Sequence, residues 1–144
     1  MSQAERNKEI VLKQHVEVWS ASDPEAVDRF YAPDATCHLA GRDVVGREEL
    51  KVLITRRRAA FAEWREEVEL VLAEGDLVAS RVVSTGVQTG PFLGVPTTGR
   101  RICITELFIF KLRDGLIVES WAELDMLGLL AQLRAGASGA DTGA

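Results

Sequence analysis

Ile102, Ile104, Glu106, Phe108 and Phe110 alternate along one stretch of the chain. In a strand, residues two apart share a face, so these five side chains form one surface. Four are strongly apolar and one is a carboxylic acid. A lone acid on a buried face loses its hydration, which raises its pKa. Such a group can act as a general base, or as a protonated donor to a developing oxyanion. The plainer reading places Glu106 outward or in an ion pair with an arginine, since perturbed acids are not confined to sites.

His15 stands four residues after Val11 and three before Val18, so it shares their inward helical face. Its imidazole could pass a proton or a hydrogen bond to a ligand. A satisfied core histidine explains the spacing equally well. His38 could enter the mouth of a pocket or face solvent. Trp19, Phe30, Tyr31, Phe92 and Phe108 read first as core, and some of them line a cavity if one exists. Asp125 precedes a leucine-rich segment, where helix capping accounts for it and a catalytic role is the second reading. Arg81 is in phase with Leu77, Val83 and Val87, which makes it a candidate cation on a buried face or an interface. Ser80 and Ser84 fall on the opposite face, with Val78 and Val82.

Hydrophobic periodicity predicts the elements that must hold these groups. Residues 2–20 read as an amphipathic helix with Val11, Val18 and Trp19 near one stripe. Asp23-Pro24 is a capped start for a short second helix over 24–31. Pro33-Asp34 breaks the chain, and 35–39 reads as a short strand. Gly46 precedes a third helix over 47–62, with Leu50, Leu53, Ile54 and Phe61 inward. The period then changes. Residues 67–73 alternate, with Val68, Leu70 and Leu72 expected on one face. Strands are predicted over 77–88 and 101–112, separated by a loop at 89–100 that is rich in Gly and Pro. Asp114-Gly115 is a hairpin turn into a closing strand over 116–124. A short helix over 125–134 ends a single domain of residues 1–134, and 135–144 reads as a disordered tail. Helices followed by hairpin-linked strands imply an α+β fold. Its curved antiparallel or mixed sheet wraps around the N-terminal helices and encloses an apolar pocket.

The bulk composition narrows the function classes. At 144 residues, 47% hydrophobic and 27% charged, the chain can bury a core without disulfide or metal staples. A net charge of −5 argues against a nucleic-acid or membrane-surface role. Cys37 and Cys103 are far apart and lack metal-ligand spacing, so no metal site is expected. No apolar run approaches a membrane span, and the polar start is not a signal peptide, so a cytoplasmic location is expected. Phosphate loops, dinucleotide fingerprints, zinc-protease motifs and nucleophile elbows are all missing, so no cofactor is expected.

Nearly the whole chain, from about residue 6 to 133, resembles a known family. The resemblance is carried by YAPDAT at 31–36 with His38 after it, Val45-Gly46, and AEGDLVASR at 73–81. It continues with TGVQTGPFLG at 85–94, PTTG at 96–99, RDGLIVE at 113–119, Trp121, and DMLGLLAQL at 125–133. These runs, in this order, look like the SnoaL-like polyketide cyclases of the nuclear transport factor 2-like superfamily. The resemblance implies a conical fold, a homodimer, a deep apolar cavity and cofactor-free acid–base chemistry. In the cyclases and in related epoxide hydrolases a catalytic aspartate occupies the position of Ala122. The hydrolases' arginine and second aspartate fall on Val82 and Ser84. Against the ketosteroid-isomerase-like pattern, an oxyanion-donor tyrosine falls on His15, a donor acid on Glu106, and the base on Leu39.

The expected function is therefore a cyclase or isomerase acting on a small hydrophobic natural product that bears a carbonyl or an epoxide. Glu106, His15 and His38 would do the chemistry. Trp19, Phe30, Tyr31, Leu39, Ser84, Phe92, Ile104, Phe108, Ala122 and Asp125 would surround the substrate. Epoxide opening is one alternative, and a non-catalytic, dimeric ligand-binding module is another.

Overall fold

A computed structural model describes residues 1–142 of the chain, with side chains described for 1–135. Of the tail expected over 135–144, residues 135–142 continue the last helix, and the final two lie outside the described residues. Helix α1 (Gln3–Gln14) opens on a reciprocal cap. The Ser2 hydroxyl accepts from the Glu5 amide at 3.1 Å, and the Glu5 carboxylate accepts from the Ser2 amide at 3.0 Å. The helix then widens into a π-helical stretch over His15–Ser20. Such stretches concentrate at functional sites, and this one carries both His15 and Trp19.

Asp23 caps a 3₁₀ turn at Pro24–Ala26, which runs into α2 (Val27–Phe30). The second predicted helix therefore stops one residue early. Tyr31 is instead the first residue of β1 (Tyr31–Leu39), which turns back through β2 (Arg42–Val45). Four residues of β2 were too few to register as a strand in the sequence. Helix α3 (Gly46–Ala60) follows, and β3 (Phe61–Glu74) begins directly where it ends. Strands β4 (Leu77–Gln88), β5 (Arg101–Arg113) and β6 (Leu116–Leu124) lead to α4 (Met126–Thr142).

The six strands form one mixed sheet in the order β2-β1-β6-β5-β4-β3. Only β1 and β6 run parallel. The sheet curls around α1, α2 and α3 without closing. Its inner face meets the helices in a large cluster that includes Val11, Val18, Tyr31, Ile54, Phe108, Phe110 and Ile117. A smaller cluster of Phe61, Trp64, Ile102, Ile104, Leu129 and Leu133 packs α4 against the open end. No helix among the described residues is long and apolar enough to cross a membrane.

Two strand faces differ from expectation. Leu70 and Leu72 point outward, at 63% and 72% exposure, while Val71 turns partly inward. The β3–β4 register shifts between Val68 and Leu70, and one extra residue reverses every side chain beyond it. Arg81 lies on the outer face of β4, where it pairs with Glu69 on β3. The buried face of β4 is the one carrying Val78, Ser80, Val82 and Ser84.

Candidate active site

The alternation along β5 sets the centre of the site. Ile102, Ile104, Glu106, Phe108 and Phe110 are all buried, and Glu106 is only 6% exposed. The Ser84 hydroxyl, one strand away on β4, donates to Glu106 Oε1. Glu106 Oε2 has no protein partner among the described residues, and the residue lines a cavity of about 760 Å³. Burial pushes the Glu106 carboxyl up to about 8; the charge of Glu66 adds to this, while Ser84 and the Arg57 cation oppose it.

Glu66 is the cavity-lining acid that the sequence reading missed. A residue with φ of 53°, Glu63, accompanies an irregularity between Ala62 and Arg65 at the start of β3. Past it, Trp64 and Glu66 share the inner face, and both line the cavity. The signal was present as Trp64, Glu66 and Val68 at a spacing of two. It was hidden because α3 was extended through residue 62 and the strand was begun at 67. Trp64 lies flat enough on β4 that a Cβ at Gly86 would come within 2.8 Å of its Cε3. That glycine makes room for the indole, whose Nε1 donates to Glu66 Oε2 at 3.1 Å.

Arg57 reaches in from α3. Its guanidinium lies 4.5 Å from the Trp64 ring centroid and 5.2 Å from that of Trp19. It donates to the Trp19 carbonyl and, at 2.8 Å, to the Ser22 hydroxyl, and its Nη1 is 3.8 Å from Glu66 Oε2. Burial lowers its pKa to about 10 against the pull of Glu66 and Glu106, so it stays a cation at neutral pH. Arg57→Ala would leave the buried Glu66 carboxylate with its bonds to His15 and Trp64 and without the facing guanidinium. Removing one partner of a buried pair costs about 3 kcal/mol, so urea unfolding should show a loss of that order. A loss below about 0.5 kcal/mol, the level of a neutral surface change, would mean that the pairing is not what holds Arg57.

His15 sits behind this wall and does not line the cavity. Its Nδ1 lies 2.7 Å from Glu66 Oε1 and its Nε2 lies 3.0 Å from Ser80 Oγ. A carboxylate can only accept, so Nδ1–H donates to it, and the serine hydroxyl, which can donate or accept, pairs with Nε2. The ring packs edge-on against Phe108 and Phe110, at 5.3 and 5.5 Å between centroids. Both ring bonds are therefore committed to Glu66 and Ser80, and neither goes to Glu106. The helical stripe put His15 inward as expected, but the acid it meets is on β3.

The other sequence candidates divide. Trp19, Tyr31, Leu39, Phe92, Ile104 and Phe108 line the cavity. Phe30, Ser84 and Ala122 are buried but do not line it. Ser84 acts through its bond to Glu106, and Ala122 pairs in register with Phe108. Asp125 is exposed, and its carboxylate accepts from the Gly128 amide at 2.9 Å, the capping role foreseen for it. His38 is on the outer side of the sheet. It bridges Asp43 at 2.8 Å and Glu119 at 2.7 Å and stacks on Trp121, and these two carboxylates raise its pKa. Tyr31 is tied between Trp19 and Gln14, and burial holds its phenol well above the usual range. The described residues contain no cluster of three His, Cys, Asp or Glu side chains able to hold a metal ion.

The chain is similar to several solved structures over nearly its full length. A candidate SnoaL-like polyketide cyclase from Jannaschia sp. CCS1 is 29% identical, with a TM-score of 0.85, and the match covers 94% of this chain and 96% of that one. TsrD from Streptomyces laurentii is 27% identical, with a TM-score of 0.82 and coverage of 94% and 98%. IdmH from Streptomyces antibioticus, a candidate polyketide cyclase, is 32% identical, with a TM-score of 0.77 and coverage of 89% and 98%. No curated protein matches the chain. The family model described as SnoaL-like polyketide cyclase matches residues 9–133. With that match across its cone-shaped α+β domain, the chain belongs to the SnoaL-like polyketide cyclase family.

Proposed function

We propose that this protein is a cofactor-independent cyclase or isomerase that moves protons on a small, hydrophobic, carbonyl-bearing compound, with polyketide ring closure as the reaction type. The observation that carries the reading is the buried Glu106 carboxyl, whose free oxygen faces an apolar cavity shared with charged Glu66. Two acids in one cavity with different surroundings divide the acid and base roles. Protonated Glu106 donates from Oε2 to the substrate carbonyl oxygen. Glu66, fixed by His15 and Trp64, takes the proton from the adjacent carbon. The product is an enol, whose carbon attacks a second carbonyl in ring closure or is reprotonated elsewhere in isomerisation. Surrounding aromatics exclude water and strengthen both hydrogen bonds.

The position held by Ala122 supplies no acid here, so this pair replaces the single aspartate implied by the family resemblance. The test uses 2-tetralone, a hydrophobic ketone with acidic α-protons. Its exchange of those protons in D₂O, followed by NMR, should be faster with the protein present. An unchanged rate would sink the reading.

We further propose that the protein is a homodimer. Leu72, Ala79, Ile109 and Trp121 adjoin one another across β3 to β6 on the outer face, and Leu72, Ile109 and Trp121 are exposed. Contiguous exposed apolar surface of this kind marks association sites. Light scattering should give twice the chain mass of 15.8 kDa; a monomer at micromolar concentration would refute it.

A further inference from the structure

The cavity has a second set of polar groups that the proposed chemistry does not use. Arg42, in β2, and Arg56, in α3, both line it and are both exposed, which puts them where the cavity opens to solvent. Neither has a hydrogen bond, ion pair or ring contact among the described residues. Arg57 differs, being occupied by Trp19, Ser22 and Glu66. Among the described residues, Glu66 and Glu106 are the only carboxylates that line the cavity. The mouth is thus a local cationic site on a chain of net charge −5. Beside these arginines the lining is apolar, with Leu39, Leu53 and Leu93.

Guanidinium groups recognise carboxylates through paired, planar hydrogen bonds. We propose that the cavity takes a ligand with an apolar body and a terminal free carboxylate, which lies at the mouth on Arg42 and Arg56 while the body reaches inward toward Glu106. The inference rests on the cavity being the substrate site of the proposed reaction. It adds a substrate class: an acid, in preference to its neutral ester.

The test compares 9-anthracenecarboxylate with its methyl ester by fluorescence titration. Exposed charge pairs are individually weak, so two of them give the acid a preference of about 3- to 10-fold at low ionic strength. That preference should shrink in about 0.5 M salt. In the R42Q/R56Q variant the ratio of acid to ester affinity should fall to about 1 (an estimate from the loss of both pairs). Equal binding of acid and ester to the unaltered protein overturns the carboxylate inference and leaves the acid–base reading standing. A preference that persists in the double variant also overturns it. Binding of neither probe overturns both. The Glu106→Gln variant separates the two claims further, because it should slow tetralone exchange by about 10²–10⁴-fold and keep the acid preference.

Discussion

Glu106→Gln should slow protein-catalysed exchange of the 2-tetralone α-protons by about 10²–10⁴-fold, the usual range for losing a positioned acid or base. Glutamine keeps the volume of the side chain, and its carbonyl can still accept the Ser84 hydroxyl. The saturation constant for tetralone should therefore move little, so that the loss appears in the maximal rate. The active form of Glu106 carries its proton. In the unaltered protein the rate should thus fall as pH rises through about 8. That alkaline limb should vanish from the residual activity of the variant. Exchange in the variant at the original rate, or an alkaline limb that survives the substitution, would assign the proton transfer to another group.

The effect of the same substitution on stability should change across the pH range, in the variant's favour as pH rises. In the unfolded chain the Glu106 carboxyl loses its proton near 4.5, and in the folded protein it keeps it to about 8. Between those values the folded state holds the extra proton, so rising pH removes stability. Glutamine has no proton to lose. Relative to the unaltered protein, Glu106→Gln should gain on the order of 3–5 kcal/mol between pH 5 and pH 9. At about 2–4 °C per kcal/mol for a chain of this size, the melting temperatures should diverge by on the order of 10 °C. Titrating groups remote from Glu106 are common to both proteins and cancel in the difference, whereas Glu66 and Arg57, whose charges act on Glu106, share in the shift. Melting curves at a series of pH values check this. A difference that stays constant from pH 5 to 9 would show that Glu106 ionises normally in the folded state.

Much of this was legible in the chain. The five alternating residues from Ile102 to Phe110 all land inside, because β5 is a central strand with one face on the core and no bulge in its pairing with β4. Asp125 caps as its residue type and place suggested. The failures on β3 share one cause, which is register. Period-two reasoning runs along a strand until an extra residue intervenes, and β3 has irregularities at both Ala62/Arg65 and Val68/Leu70. The first hid Glu66, and the second turned Leu70 and Leu72 outward. On β4 both faces carry valines, so the pattern alone could not choose between Arg81 and the Ser80–Ser84 side. His15 was placed on the correct face, but its partner depended on which strand crosses behind the π-helical stretch. Pairing across 51 residues of chain leaves no local trace.

The sheet order also governs how the molecule can assemble. Within the sheet, β1 is bonded to β2 and to β6 alone, and β6 is the last strand made. On the ribosome, the amino-terminal hairpin has no sheet to join until residue 124 has emerged. The meander of β3 to β5 can zip up earlier through sequential turns, but it must wait with one edge open. Contacts this distant in sequence delay folding and leave an unpaired edge exposed to other chains meanwhile. The parallel seam between the two ends of the domain is thus its final stitch, and the carboxyl-terminal strand is the piece that truncation can least spare.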